Sequence, residues 1–233
     1  MKFILSTVFL FCLFSCSDNE SINSQHRDTS AFTVKVIATK NKAFEHKQIF
    51  TKAHKISEPL GSGVASIDID NDGTYELFFA QFDEYHSKSV LYQRQSQQYI
   101  DITNQVGLNN LTAIIGVATA DINNDGWVDL LVYGVKRLHL MLNNNGHFSE
   151  LKLPELDGNS FFTSATFFNA NNDEYLDMWL SRYVEMKPEN SVQCLASDGS
   201  ITYCAPSALP AQRDYLLLNH GGEFFSRAPL DNI

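Results

Sequence analysis

The stretch "DIDNDGTYELFFAQF", Asp68 to Phe82, sets acids at Asp68, Asp70 and Asp72, then Gly73, then Glu76, and runs at once into apolar residues. Four carboxylates within nine residues repel one another at neutral pH. Such a loop is either a solvated turn or a cradle for a cation. Acids at alternate positions of a tight loop aim their oxygens inward, and glycine permits the positive φ of the sharp turn.

The stretch has relatives in the same chain. "GVASIDIDNDGTYELFFA" starts at Gly63, "GVATADINNDGWVDLLVY" at Gly116 and, less faithfully, "SATFFNANNDEYLDMWLS" at Ser164. Their loops begin at Asp68, Asp121 and Asn169, giving periods of 53 and 48 residues, the length of one four-stranded propeller blade. The segments between the loops repeat as well: "VLYQRQSQQYIDIT" from Val90, "LHLMLNNNGHFSEL" from Leu138 and "DYLLLNHGGEFFSR" from Asp214. Each is a β-rich run, a polar turn and a second β run. The pattern predicts an all-β chain, a partial β-propeller of about three four-stranded blades over 62–103, 115–151 and 162–227, with an insert at 183–213. The acidic loops lie between first and second strands. "ELFFA", "DLLVY" and "DMWLS" are continuously apolar, as strands buried on both faces are. No long stretch has a 3.6-residue period, so little helix is expected.

Ca²⁺ takes about six to eight hard oxygens. Counting each loop from its first residue, positions 1, 3, 5 and 9 and the carbonyl at 7 are the candidate ligands. These are Asp68, Asp70, Asp72, Glu76 and Thr74 in the first loop, and Asp121, Asn123, Asp125, Asp129 and Trp127 in the second. In the third they are Asn169, Asn171, Asp173, Asp177 and Tyr175. An EF-hand needs a bidentate Glu at position 12. Phe79, Val132 and Leu180 stand there, so the acid at 9 takes the closing role. The third loop has fewer charges, and Glu174 replaces the glycine; left-handed backbone at a non-glycine costs roughly 1 kcal/mol or more. The first two loops are therefore expected to bind Ca²⁺ more tightly. The ligand positions of the three loops hold nine of the 27 acids, so much of the acidity is ligation.

These motifs resemble FG-GAP/VCBS repeats, the calcium-loop blades of integrin α-subunit propellers and many bacterial surface proteins. The subgroup they most resemble is the bacterial relatives of cartilage acidic protein. There "GVAxxDxDNDGxxDL" runs alternate with "LYRNxGDGxFxDVT" runs, and a cysteine pair precedes one of the latter, as Cys194 and Cys204 do here. The resemblance covers roughly residues 45 to 227. It implies a Ca²⁺-stabilised propeller used in adhesion, ligand binding or assembly, with an unknown glycan or protein ligand.

The first residues, "MKFILSTVFLFCLFSC", have a positive start at Lys2 and an apolar run Phe3 to Phe14, too short to span a bilayer and placed like a secretory signal. Leu13-Phe14-Ser15-Cys16 resembles a lipobox. That resemblance implies a signal peptide over 1–15, a lipid on Cys16, and an exported protein of the bacterial outer membrane or cell surface. Residues 16–30 read as a polar tether and 31–233 as the repeats. No later segment has about 18 uninterrupted apolar residues. With Cys12 removed and Cys16 lipidated, Cys194 and Cys204 remain, and the default in an exported protein is one disulfide. A net charge of −10 argues against a nucleic-acid partner.

The chain has no HExxH, G-x-S-x-G or phosphate-cradling glycine loop, and its acids cluster where metal ligation explains them. A non-enzymatic binding module is expected. The alternative is a polysaccharide-active enzyme using Arg182, Tyr183, Glu185 and Arg213 from the insert. Three blades fall short of the four to eight of a closed propeller, although "KQIFTKAHKI", residues 47 to 56, resembles the outer strand of a further blade. Either the reading frame is truncated, leaving a propeller without independent function, or partners complete the ring. Neither end looks like a polar cap, which favours truncation.

Overall fold

The structure is a computed structural model that describes residues 44, 46, 54, 56–58, 60–82, 88–96, 98–185 and 192–230, all within the compact unit Thr39–Ile233. The expected signal peptide, Cys16, the tether and most of 47–56 lie outside the described residues.

Three four-stranded antiparallel sheets follow one another along the chain. The first contains β1 (Val64–Ile67), β2 (Glu76–Phe79), β3 (Val90–Gln95) and β4 (Gln98–Asp101) in sequential order. The second contains β5 (Ile114–Ala120), β6 (Asp129–Gly134), β7 (Arg137–Asn144) and β8 (His147–Leu151). The third pairs β9 (Phe162–Phe168) with β10 (Asp177–Arg182). After an excursion that includes the short hairpin β11 (Cys194–Leu195) and β12 (Ile201–Thr202), it adds β13 (Tyr215–His220) and β14 (Phe224–Arg227). The only helix among the described residues is a 3-10 turn, Pro206–Ala208. The described residues are all-β, built of propeller-like blades, and form no closed barrel. No helix among the described residues is long and apolar enough to cross a membrane.

The blades pack face to face, and the pleat explains how one strand serves two cores. Successive side chains point to opposite faces of a sheet. In β6, Leu130 and Val132 face the first blade, beside Ile67, Phe78 and Leu91. Leu131 and Tyr133 face the third, beside Met178, Leu180 and Leu217. All six residues of β6 are buried. Burial on both faces was expected of all three second strands, but it holds only for this one. In β2 buried and half-buried residues alternate, and β10 keeps Trp179 and Ser181 half-buried, because only the middle blade has a described neighbour on each side.

Each first strand runs toward its acidic loop, so the three loops share one rim. The opposite rim carries a smaller apolar cluster of Phe82, Ala113, Val135, Phe161 and Val184, covered by Ile56, Leu60 and Leu209. The insert therefore lies at the end of the blades away from the loops. Within it Cys194 and Cys204 form the expected disulfide, Cα–Cα 5.2 Å, around a turn in which Asp198 accepts the Ser200 N–H at 2.9 Å and Gly199 takes φ +81°.

Candidate metal centres in the acidic loops

In the first loop the carboxylates are drawn together by the loop's own N–H groups. Asp68 accepts from Asp72 N at 3.2 Å and from Gly73 N at 3.0 Å, and Asp72 accepts from Thr74 N at 2.6 Å. Gly73 has φ +81° and Asn71 φ 55°. Two left-handed residues curl the chain so that these N–H groups point inward. Asp68, Asp70 and Glu76 each bring a carboxylate oxygen within 4.8 Å of the others. Three like charges so close repel one another, a need that a cation could meet.

Glu76 makes that need specific. Its side chain is fully buried at the start of β2. Oε2 accepts the Ile69 N–H at 3.1 Å, whereas Oε1 has no hydrogen-bond partner among the described residues. An unpartnered buried carboxylate oxygen is costly. Burial, with Asp70 and Asp72 nearby, raises the Glu76 pKa despite the Ile69 N–H. The donor set is all oxygen, which suits Ca²⁺. Asp68, Asp70, Asp72, Glu76 and the Thr74 carbonyl would hold it.

The second loop repeats the curl. Asp121 accepts from Asp125 N at 3.2 Å and Gly126 N at 2.9 Å, and Asp125 accepts from Trp127 N at 2.8 Å. Asn123 donates its amide to Asp125 at 2.8 Å, which relieves part of the charge a cation would otherwise offset. Asp129 differs from Glu76. Its two oxygens accept the Ile122 N–H at 2.8 Å and the Asn143 N–H at 2.7 Å, so it also ties the loop to β7. Burial pushes its pKa up to about 6, with Asp125 and Asp121 adding to the effect and these N–H groups opposing it.

The third loop departs further. Asn169 donates its amide to the Asp173 carbonyl and accepts from Asn172 N at 2.6 Å. Asn171 donates to Asp173 at 2.7 Å, and Tyr175 N donates to Asp173 at 2.8 Å. Side-chain amides thus occupy oxygens that are free in the first loop. Asp177 binds Ala170 N at 2.7 Å and Asn219 N at 2.8 Å. The expected left-handed strain at Glu174 does not occur. Among the described residues of this loop only Asn172 has positive φ, 69°; the loop makes one left-handed step where the others make two.

Two sets of asparagines carry the rim and were not singled out in the sequence. Asn143 and Asn219 are buried in the third strands. Asn143 donates to the Ile69 carbonyl of the preceding blade at 2.9 Å and to Val128 at 3.2 Å, and accepts Gly146 N at 2.8 Å. Asn219 does the same with Ile122 at 2.9 Å, Leu176 at 3.0 Å and Gly222 N at 2.9 Å. At loop position 4, Asn71 donates to the Gly126 carbonyl at 3.0 Å and Asn124 to the Glu174 carbonyl at 2.9 Å, each reaching the next blade. Their signal was present: an asparagine three residues before a glycine in "LNNNG" and "LNHGG", and one at position 4 of every loop.

Three of the residues named for a possible catalytic groove have these described contacts. Arg182 donates to Ser160 Oγ at 3.0 Å and to the Arg213 carbonyl, and lies 3.9 Å over the Tyr215 ring. Tyr183 packs edge-on against Phe161. Glu185 N donates to the Pro210 carbonyl at 2.9 Å.

All-β blades joined through acidic loops on one rim define a propeller-type repeat module. Residues 50–132, spanning the first blade and half of the second, match the FG-GAP-like repeat family. No curated protein matches the chain.

The raised carboxyl pKa values fix a sign for pH dependence. For Asp129 the folded value, about 6, exceeds the reference of 3.8. Without metal, its ionisation therefore weakens the folded state as pH rises through that window, and lowering pH relieves the penalty. Ca²⁺ needs the ionised form. The calcium-induced rise in melting temperature should thus be full above about pH 6 and smaller at about pH 5, checked by paired melts with calcium or EDTA at about pH 7.5 and 5. Equal rises at both would remove these acids from the site.

Proposed function

We propose that the chain is a calcium-stabilised, non-enzymatic binding or adhesion module of the cell envelope, its blades clipped along one rim by metal. The buried, unpartnered Oε1 of Glu76 beside Asp68 and Asp70 carries the metal reading. The FG-GAP-like match supports the module reading. The cysteine pair before the third blade's outer hairpin supports the finer likeness to bacterial relatives of cartilage acidic protein. The ligand class is a glycan or a protein, and the first test is a glycan array probed with calcium and with EDTA. Calcium-dependent capture of one glycan class is expected; glycan turnover during incubation would favour the enzyme reading instead.

The lipobox-like Leu13–Cys16 supports anchoring at Cys16. The several acyl chains of a bacterial lipoprotein hold firmly where one chain holds marginally. Cys16→Ser should release the protein from membranes; unchanged detergent partitioning of that variant refutes lipidation.

A further inference from the structure

We propose that a cavity walled by His139 and Glu150, between the second blade and the segment joining it to the first, takes an arginine side chain of a partner protein. This rests on the reading of the chain as a binding module and commits that module to a protein ligand. The cavity follows from the pleat of the second blade. Met141 on β7 and Glu150 on β8 are cross-strand partners. His139 lies two residues from Met141 and Phe148 two from Glu150, so all four side chains share the face turned to the first blade. The segment between β4 and β5 forms the opposite wall. It is pinned to β8 where Phe148 N donates to the Val106 carbonyl at 2.8 Å. At Gly107, φ +87°, the two pass so closely that a Cβ would stand 2.7 Å from the Phe148 carbonyl oxygen. Beyond that point the segment parts from β8, and Asn110 and Leu111 complete a cavity of about 230 Å³.

Its lining sets a rim of acceptors above an apolar floor. Leu111, Met141 and Phe148 are buried. Above them Nδ1 of His139 stands 2.7 Å from Oε1 of Glu150. A carboxylate accepts, so the hydrogen sits on Nδ1, and Nε2 of the neutral ring is left as an acceptor. Among the described residues only His139 bonds to the Glu150 carboxylate. Asn110 adds one amide. The polar side chains thus offer several acceptors and a single donor group. A guanidinium is the complement: it has five donors and no acceptor, and its flat fork meets a carboxylate with two parallel bonds. Its methylene stem lies on Leu111 and Met141, as long cationic side chains lie on apolar surface. A sugar fits less well. Each hydroxyl donates and accepts, and Phe148, 7% exposed, has no ring face open for stacking. The cavity is also smaller than the roughly 300–1,000 Å³ of small-molecule sites, which suits a single side chain.

A second hollow, of about 400 Å³, shares Glu150 and is lined by Leu138, Leu153, Pro154 and Leu156. Leu138, Leu153 and Leu156 pack against the core between the second and third blades, so the two hollows straddle the end of β8. The partner segment therefore carries an apolar residue beside its arginine. The chain's own cations nearby do not line the first cavity. Arg137 donates to the Lys136 carbonyl at 3.1 Å, and Lys152 lines the second hollow.

The test is a titration of the full chain with N-acetyl-leucyl-arginine amide, followed through the NMR signals of the Met141 and Leu111 methyl groups. A second probe carries citrulline, which keeps the shape of arginine and removes its charge. Saturable shifts of both methyl signals are expected with the arginine probe. The citrulline probe should bind more weakly on the order of tenfold, a charge-assisted pair being lost. Glu150→Gln should weaken the arginine probe by a similar factor and leave the melting temperature in place, since Glu150 is exposed. Equal affinity for citrulline, still methyl signals, or an arginine affinity unmoved by Glu150→Gln would each overturn the proposal. Saturable shifts with methyl glucoside and none with arginine would overturn it in favour of a glycan subsite. All these outcomes leave the binding-module reading standing; that reading fails separately, when neither a glycan array nor a peptide array captures the chain.

Discussion

Asn219→Ala should lower stability by about 3 kcal/mol, the largest loss expected from any single side chain on the loop rim. The asparagine is buried, and its amide joins three backbone groups from two blades: the Ile122 and Leu176 carbonyls and the Gly222 N–H. Alanine leaves all three without a side-chain partner, and each unsatisfied buried group costs roughly 1–3 kcal/mol where water cannot reach it. The surroundings have little room to adjust. A Cβ at Gly222 would fall 2.4 Å from that of Asn123 in the neighbouring loop, so the hairpin already touches the preceding blade. For a chain of this size about 3 kcal/mol is a fall of roughly 6–12 °C in melting temperature. Asn143→Ala should behave alike, whereas Asn144→Ala, on an exposed side chain, should stay within about 0.5 kcal/mol. Thermal melts of the three variants check this. Similar melting temperatures for all three would mean that these amides do not hold the blades together.

Glu76→Gln is expected to move stability in opposite directions with and without calcium. In the metal-free protein the substitution keeps an acceptor for the Ile69 N–H and removes a buried charge that faces Asp68 and Asp70. The new amide can donate toward those carboxylates, so metal-free stability at neutral pH should rise by about 1 kcal/mol. With calcium at a hundred times its dissociation constant, an intact site contributes about 2.7 kcal/mol by mass action, and the variant should lose most of it from the first loop. Chemical denaturation in EDTA and in calcium separates the two. A variant destabilised under both conditions would make Glu76 a structural acceptor and nothing more.

The fold was legible because its period is long and its punctuation regular. Acid, glycine and apolar run recur at blade spacing, and three four-stranded sheets follow from them. The junctions were less legible. Whether Leu77 or Trp179 meets a neighbouring sheet depends on which blade lies at an end, and apolar character alone does not say. At the rim, acids drew attention as ligands, yet Asp129 and Asp177 also hold backbone N–H groups of the third strands. The amides of Asn143 and Asn219 do the stitching. Their bonds span 74 and 97 residues, and no local pattern announces such a partner. The third loop was misjudged for a related reason. A missing glycine at Glu174 suggested strain at a fixed geometry, whereas amide side chains at Asn169 and Asn171 allow a different turn with a single left-handed step.

The most direct test of a metal-clipped rim is the melting temperature of the native chain, first stripped with EDTA and then titrated with calcium. Two loops saturated at a hundred times their dissociation constants would together contribute about 5 kcal/mol, a rise of roughly ten degrees or more. Magnesium should do less, since it demands near-octahedral geometry and dehydrates reluctantly. A melting curve indifferent to both EDTA and calcium would contradict the assignment and leave the acidic loops as solvated turns.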